Sequence, residues 1–196
     1  WSGKRVLVTG HTGFKGAWLC IWLRKLGAAV SGFSLEPATS PALYDLAEVA
    51  NGIDSHLGDI RSQSAIRDVI HAAEPEVVIH MAAQPLVQQS FVDPVTTYST
   101  NVMGTVHVLE AVRGAESVKA VINVTSDKCY ENREWVWAYR ENDAMGGYDP
   151  YSSSKGCSEL VTSAYRRSFM NDVGIALASA RSGNVIGGGD WSSSRI

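Results

Sequence analysis

The sequence predicts an α/β fold in which a doubly wound parallel sheet carries helices on both faces. Short runs rich in valine and isoleucine alternate with longer segments of helical periodicity, the pattern of repeated strand–helix–strand units. The runs at 77–81 (VVIHM) and 120–125 (AVINVT) are almost continuously apolar, as expected of strands buried on both faces. Because crossovers between such strands are right-handed, successive strands should join one parallel sheet.

The predicted elements alternate along the chain. Strands are predicted at 5–9, 30–34, 55–57, 77–81, 120–125 and 175–180. Helices are predicted at 16–26, 63–73, 94–113 and 151–170, and Gly27 is expected to end the first of them. On the helix at 94–113, the spacing predicts one apolar face made of Tyr98, Val102, Val106, Leu109 and Val112.

Composition limits the possible functions. The 196 residues fit one domain, with 45% hydrophobic and 19% charged residues. A net charge of −3 provides no basic patch for nucleic acid, and no apolar run reaches the ~18 residues that span a bilayer. Cys20, Cys129 and Cys157 are odd in number and lack metal-ligand spacing, so we expect reduced thiols, no metal site and a cytoplasmic protein. The first residues show no signal-peptide pattern.

A glycine-rich loop follows the first predicted strand and opens the first helix. Residues 9–16 read TGHTGFKG, so that Gly10, Gly13 and Gly16 have the spacing GxxGxxG. In such loops the first glycine allows a tight turn, the second lets the backbone approach a pyrophosphate, and the third lets helix pack on strand. Because a helix N-terminus offers free N–H groups and a partial positive charge, the loop predicts a dinucleotide site of the Rossmann type.

This loop resembles the TGxxGFxG motif of the extended short-chain dehydrogenase/reductase family, and the resemblance covers nearly the whole chain. It implies that residues 1–196 form an NAD(P)-binding Rossmann domain with catalytic residues, and that the C-terminal substrate-binding lobe is absent from this sequence. The implied cofactor contacts are Gly10, Thr12, Gly13, Phe14, Gly16, Ser34, Asp59, Ile60, Ala82, Ala83, Gln84, Thr100, Tyr151 and Lys155. No Arg or Lys follows the second strand to hold a 2′-phosphate, so NAD is expected rather than NADP.

Tyr151 and Lys155 form a YxxxK motif at the start of the last long helix. The i,i+4 spacing puts both side chains on one helical face. A phenol with an ordinary pKa of about 10 is a poor base at neutral pH, but a fixed ammonium nearby favours the phenolate. The pair can therefore take a proton from a sugar hydroxyl while hydride leaves the same carbon. The family resemblance implies that Lys155 also holds the nicotinamide ribose.

Ser126, Asp127 and Lys128 follow the fifth strand, at the sheet edge where open α/β folds bind ligands. Ser126 resembles the family's serine or threonine that hydrogen-bonds the reacting oxygen. The pair after it, together with 130–149 and 181–191, resembles the sugar-nucleotide 4,6-dehydratase branch and, within it, the CDP-glucose 4,6-dehydratases. A solvated ion pair at a strand end is the other interpretation of Asp127 and Lys128.

The resemblance implies hydride transfer from C4 of the sugar to NAD, loss of water across C5 and C6, and hydride return to C6. Asp127 would act as the acid at the C6 oxygen. Lys128 stands where the dTDP-glucose enzymes carry Glu, and two roles stay open for it: a neutral base at C5, or a cation that stabilises the enolate. Asn184 resembles a residue that contacts the sugar nucleotide.

CDP-glucose is the substrate that the resemblance implies, and two other interpretations stay open. One is another NAD-dependent sugar-nucleotide enzyme, such as a dTDP- or GDP-sugar dehydratase or a 4-epimerase; the acid–lysine pair argues against the epimerase. The other is a truncated, non-catalytic NAD-binding module, against which the intact YxxxK motif argues. The resemblance also implies a homodimer, or a tetramer built of dimers, through the helices at 94–113 and 151–170, with no nucleic-acid or membrane partner.

Overall fold

The computed structural model, which describes residues 1–193, contains a six-stranded sheet at its centre. Its strands are β1 (Arg5–Thr9), β2 (Ala29–Ser34), β3 (Asp54–Leu57), β4 (Val77–His80), β5 (Ala120–Val124) and β6 (Ala176–Ala180). All neighbouring strands are parallel, in the order β3-β2-β1-β4-β5-β6. The doubly wound parallel sheet is confirmed, and its order reverses between β1 and β4, where such sheets bind ligands.

Helices connect the strands. They are α1 (Phe14–Lys25), α2 (Leu43–Leu46), α3 (Gln63–Ala73), α4 (Val87–Val92), α5 (Pro94–Tyr98), α6 (Gly104–Arg113) and α7 (Pro150–Tyr165). Turns of π-helix occupy Ser99–Met103 and Arg166–Met170, and 3₁₀ turns occupy Val49–Gly52 and Asp127–Cys129. The predicted helix at 63–73 is confirmed at both ends. The short helices α2 and α4 lie in segments whose sequence predicted no regular element.

The first helix begins two residues earlier than its predicted start at residue 16. Gly13 is its N-cap in extended conformation, with φ −73° and ψ 161°. The helix ends as predicted, because Gly27 adopts φ +87° just after it. Gly16, which the sequence analysis placed at the first helical position, therefore lies inside the first turn of α1.

Alternate residues of each strand pack on opposite faces of the sheet. One core joins Leu7 and Val78 to α3 and α6, through Ile66, Ile70, Val108, Leu109 and Val112. The other joins Val6, Val8 and Ile79 to α1, through Ala17, Cys20 and Leu23. Both faces of the central strands are therefore covered, which explains their almost continuously apolar sequences.

The predicted single helix at 94–113 is wrong in one respect, since a π-turn interrupts it. Leu109 and Val112 are buried as expected, but Tyr98 is 37% exposed, and the polar Thr97 and Asn101 are buried instead. A π-turn holds more than four residues, so it rotates the buried face of the preceding segment by about one position. Thr97 and Asn101, which are four residues apart, consequently continue the buried side of α6 toward the N-terminus of the helix.

Some features that would point to other classes of protein are missing from the part of the chain described. Within residues 1–193 no helix combines the length and the apolarity that crossing a membrane requires. The same residues contain no cluster of three or more His, Cys, Asp or Glu side chains that could hold a metal ion. Cys20, Cys129 and Cys157 are all free, and the first two are buried.

Candidate active site

The predicted site residues follow the carboxyl ends of several parallel strands. The glycine-rich loop follows β1, and Asp59 and Ile60 follow β3. Ala82 to Gln84 follow β4, the 3₁₀ turn at Asp127–Cys129 follows β5, and Asn184 follows β6. Because the strands are all parallel, these segments share one edge of the sheet. The topology therefore brings together residues that lie more than a hundred positions apart in sequence.

The glycine-rich loop has no space for a side chain at Gly10 or Gly16. Gly10 has φ +77°, and a Cβ there would lie 2.8 Å from the backbone nitrogen of Ala82. A Cβ on Gly16 would lie 2.1 Å from the carbonyl oxygen of Gly10. Gly13 supplies no side-chain cap to α1, so the first amides of this helix remain available to an anion. Such a loop fits a pyrophosphate group.

Substitution of Gly16 by Ala is expected to destabilise the domain and weaken dinucleotide binding, because the new methyl group meets backbone rather than a movable side chain. We expect the free energy of unfolding to fall by about 1–3 kcal/mol, as for other overpacked sites. Denaturant unfolding measures this change. Gly188→Ala is the matched control, since a Cβ there meets nothing within 4 Å; equal stabilities for the two variants would contradict the prediction.

Thr12 and Ser34 connect the glycine-rich loop to the end of β2. The hydroxyl of Thr12 donates to the carbonyl oxygen of Leu35 at 2.8 Å and lies 2.9 Å from the Ser34 hydroxyl. Thr12 is buried, whereas Phe14 is half-buried. Thr12 and Ser34 therefore fix the loop beside the strand end where an adenosine ribose would lie.

Asp59 and Ile60 differ in what they can offer a ligand. The Asp59 carboxylate accepts a bidentate interaction from Arg61, and the side-chain hydrogen bond from Arg61 keeps the pKa of that carboxyl below its ordinary value. The Ile60 side chain is buried in the core against Gly104. Its carbonyl oxygen lies 3.1 Å from His107 Nδ1. The predicted adenine contact at Asp59 thus shares its carboxylate with Arg61.

The segment after β4 is held by Asn101, which with Thr100 resembles a family position near the cofactor. Asn101 Oδ1 accepts from the backbone nitrogen of Gln84 at 2.8 Å, and its Nδ2 donates to the Gln84 carbonyl oxygen and to Ser154 Oγ. Ala82 N donates to Thr9 Oγ1 at 3.1 Å. Thr100, the predicted neighbour of the cofactor, lies in the π-turn and is only partly buried. The buried side-chain amide of Asn101, the next residue, fixes the backbone of the segment after β4.

His80 connects the same strand to the helical layer. His80 Nδ1 lies 2.7 Å from Thr9 Oγ1, and its Nε2 lies 3.3 Å from Thr105 Oγ1. Burial, assisted by the charge of Lys155, lowers the pKa of His80 to about 3. The imidazole is therefore neutral at physiological pH, and it joins β4 to β1 and to α6.

Lys155 is a buried ammonium at the centre of the site. Its side chain is 7% exposed, and its Nζ lies 6.0 Å from the centroid of the Tyr151 ring. Burial and the nearby charge of Lys15 lower the pKa of Lys155 from 10.5 to about 8. A lysine side chain carries up to three N–H donors, which can bind the hydroxyls of a ribose.

Replacing Lys155 with Met is expected to stabilise the fold while it removes the activity proposed below. A pKa that falls from 10.5 to about 8 implies a cost on the order of 3 kcal/mol for burying the charge. Below pH 8 both the folded and the unfolded chain hold the proton, and the full cost applies. Between pH 8 and 10.5 the folded protein has lost the proton and the cost falls, and above pH 10.5 the unfolded chain has lost it too and no cost remains. Urea unfolding at neutral and alkaline pH measures the gain, and Lys25→Met, at an exposed position, should leave stability nearly unchanged. A destabilised Lys155→Met at neutral pH would contradict the prediction.

Ser126 caps the 3₁₀ turn that carries the predicted acid and lysine. Its hydroxyl donates to Asp127 Oδ1 at 3.1 Å and accepts from the backbone nitrogen of Lys128 at 3.2 Å. The Asp127 backbone nitrogen donates to the carbonyl oxygen of Ser182, which joins the turn to the segment after β6. This turn packs on α7, since a Cβ on Gly156 would lie 3.5 Å from the Cys129 carbonyl oxygen.

Asp127 and Lys128 are both exposed, and no ion pair joins them within the described chain. The interpretation of these residues as a solvated ion pair is therefore wrong. A 3₁₀ turn separates successive side chains by about 120°, so neighbours in it point in different directions. Asn184 is also exposed, in the segment after β6. The acid, the lysine and the asparagine are thus all exposed at the carboxyl edge of the sheet.

Glu159 and Arg181 form a buried ion pair behind the site that the sequence analysis did not identify. Their side chains approach to 3.0 Å and are 4% and 15% exposed. The available signal in the sequence was the position of Glu159 one helical turn after Lys155, on the same face of α7. Arg181 carried no local signal, because its partner lies 22 residues away.

The fold and the site together define a Rossmann-type domain of the short-chain dehydrogenase/reductase class. The profile of the GDP-mannose 4,6 dehydratase family matches residues 7–185, and the chain belongs to this family. The structure resembles that of UDP-glucose 4-epimerase from Brucella ovis in complex with NAD, with a TM-score of 0.76 and 26% identity. That match covers 91% of this chain and 51% of the epimerase.

Curated relatives include two 4,6-dehydratases. The CDP-glucose 4,6-dehydratase of Salmonella typhimurium (strain LT2) is 58% identical over 201 residues, which cover 100% of this chain and 56% of the relative. The dTDP-glucose 4,6-dehydratase of Mycolicibacterium smegmatis is 34% identical over 170 residues, which cover 84% of this chain and 50% of the relative. The chain therefore spans about half the length of the curated relatives it matches.

Proposed function

We propose that this chain is the NAD-binding and catalytic part of a CDP-glucose 4,6-dehydratase, a hydro-lyase that uses NAD as an internally recycled cofactor. The observation that carries the proposal is the Ser126–Lys128 turn, which packs on the helix of Tyr151 and Lys155 at the ligand-binding edge of the sheet. The 58% identity to the Salmonella enzyme supports CDP-glucose as the substrate. The glycine-rich loop and the buried ammonium of Lys155 fit NAD.

The first step oxidises C4 of the glucose. Tyr151 takes the proton of the C4 hydroxyl, Ser126 turns its hydroxyl from Asp127 Oδ1 to donate a hydrogen bond to the same oxygen, and Lys155 favours the phenolate. Bound NAD would accept the hydride at this stage and return it to C6 at the end. Gly10, Gly13 and Gly16 would hold its pyrophosphate, and Lys155 its nicotinamide ribose.

The second step removes water across C5 and C6. The new 4-ketone makes the C5 proton acidic, so a base or a cation near C5 promotes its loss. Asp127 protonates the departing C6 oxygen, and its exposed carboxylate at the sheet edge suits that role. Lys128 serves either as the neutral base or as the cation that stabilises the enolate. Asn184 binds the sugar nucleotide beside this turn.

Incubation of the full-length protein with CDP-glucose and NAD tests the proposal. The expected product is CDP-4-keto-6-deoxyglucose, identified by mass spectrometry, with no net consumption of NAD. Turnover of dTDP-glucose in place of CDP-glucose would overturn the substrate assignment but retain the reaction class. Tight NAD binding without turnover of any sugar nucleotide would favour the non-catalytic module, against which the retained, energetically costly Lys155 argues.

We also propose that the protein forms a homodimer, or a tetramer built of dimers, through α5, α6 and α7. Large apolar side chains are exposed on these helices, including Val95, Met103 in the adjoining π-turn, and Leu160. Light scattering of the full-length protein measures the assembly.

The three free thiols support a reducing compartment such as the cytoplasm.

A further inference from the structure

Glu159 is a buried charge that the reaction described above does not use. A carboxylate withdrawn from water is costly unless its oxygens are well hydrogen-bonded. Its Oε1 accepts from the Thr125 hydroxyl, and its Oε2 accepts from the Ser179 hydroxyl at 2.8 Å and from Arg181 Nη2 at 3.0 Å. Burial opposes ionisation, but the hydrogen bonds from Arg181, Thr125 and Ser179 hold the pKa of Glu159 below its ordinary value. One ionised carboxylate thus joins α7 to the ends of β5 and β6.

Arg181 extends this connection to the loop between β5 and α7. Its Nη1 donates to the Tyr130 hydroxyl at 2.9 Å and to the carbonyl oxygen of Glu141 at 3.0 Å. Its guanidinium carbon lies 4.9 Å from the centroid of the Tyr130 ring, which stacks in turn on Tyr139 at 5.1 Å. The loop at 130–146 is therefore attached to Arg181 at its start and near its middle.

The residues held by this ion pair adjoin the proposed reacting groups. Thr125 directly precedes Ser126 in the chain. Glu159 follows Lys155 by four residues and Tyr151 by eight, so all three lie on the same face of α7. The two segments that carry Ser126 and the YxxxK pair consequently meet at a single carboxylate.

We propose that Glu159 and Arg181 are positioning residues for the oxidation step. The pair holds the backbone at Thr125 and Ser126, and the loop at 130–146, against the face of α7 that carries Tyr151 and Lys155. The inference rests on the proposed function for the reaction that it serves. Misplacement of reacting groups by about 1 Å can cost on the order of 100-fold in rate, so loss of this pair should reduce turnover although neither residue touches the sugar.

The charge of Glu159 gives the proposal a readout beyond structure. The titratable groups that face Lys155 are Lys15 on α1, His80 on β4, Cys129 after β5, and Tyr151 and Glu159 on α7. Burial and Lys15 disfavour the ammonium, and Cys129 and Glu159 favour it. Removing the Glu159 charge should therefore make Lys155 lose its proton at lower pH, which moves the alkaline limb of the oxidation rate to lower pH.

Kinetics of the full-length protein test this positioning role. The pre-steady-state rate of NAD reduction with CDP-glucose is measured by stopped flow against pH for Glu159→Gln, with Thr125→Val and Ser179→Ala as controls that keep both charges. Glu159→Gln is expected to lower the rate by at least ~10-fold, to move the alkaline limb downward and to keep its NAD affinity. Thr125→Val should lower the rate without moving the limb. A wild-type rate with an unmoved limb in Glu159→Gln would overturn the proposal.

A second measurement does not depend on turnover. Backbone hydrogen exchange at 125–130 and in the loop at 130–146 is expected to be faster in Glu159→Gln and in Arg181→Lys than in the wild type, with α3 unchanged. Arg181→Lys keeps the positive charge but loses the planar guanidinium with its paired N–H donors. This variant provides the test if Glu159→Gln does not fold. If the wild type converts no sugar nucleotide, the proposed function fails and exchange alone decides: unchanged exchange in these segments would overturn the positioning role.

Discussion

Asp127→Asn is expected to separate the two halves of the proposed reaction. The variant keeps the glycine-rich loop, Ser126, Tyr151 and Lys155, so oxidation at C4 should continue and reduced dinucleotide should accumulate. An amide cannot protonate the departing C6 oxygen, and loss of a general acid costs on the order of 10² to 10⁴ in rate. Absorbance of the reduced nicotinamide and mass spectrometry of the sugar nucleotide measure the two steps in one sample.

The exposed Asp172, at the far end of the helical layer after α7, provides the matched control. Asp172→Asn makes the same chemical change at a distance from the sheet edge and should turn over like the wild type. If Asp127→Asn instead lost the first hydride transfer, the assignment of Asp127 as the acid of the elimination step would be wrong.

Tyr151→Phe is expected to stop the reaction before either product forms. The change removes the phenolic oxygen that we propose takes the C4 proton, so the rate should fall on the order of 10² to 10⁴. The ring is retained, and the binding of NAD should therefore change little. Stopped-flow measurement of NAD reduction, together with equilibrium binding of NAD, distinguishes a chemical defect from a lost cofactor.

Tyr148→Phe is the control for this substitution, because Tyr148 is 85% exposed three residues earlier. Removal of its hydroxyl should leave the rate unchanged. Oxidation of CDP-glucose by Tyr151→Phe at the wild-type rate would exclude Tyr151 as the base, and with it the proposed use of the YxxxK motif.

Local sequence was sufficient for the elements whose signals are short-range. The strands were predicted to within one residue at each end, and β4 and β5 had the clearest signal because buried parallel strands require continuous apolar runs. The glycine-rich loop was recognisable for a similar reason: Gly10 must adopt a positive φ, and Gly16 must contact backbone, wherever such a loop closes. These requirements concern residues that lie close together in the sequence, so a short motif is enough to predict the loop.

The helix at 94–113 shows where periodicity failed. The pattern placed Tyr98 and Val102 on the buried face, but the π-turn at Ser99–Met103 buries Thr97 and Asn101. Asn101 is stable there because Gln84 and Ser154 satisfy its amide. Those partners are 17 and 53 residues away, so no window of local sequence reveals that a polar side chain belongs inside.

By itself, the sequence determined the parallel sheet, the glycine-rich loop and the YxxxK pair at the start of α7, since each depends on neighbours along the chain. Only the tertiary structure decided the surroundings of these groups: the burial that lowers the pKa of Lys155, and the carboxylate of Glu159 that joins Thr125 and Arg181. The physical reason is that burial and ion pairing depend on which strands and helices become neighbours. That arrangement exists only after the sheet has brought distant segments to one edge.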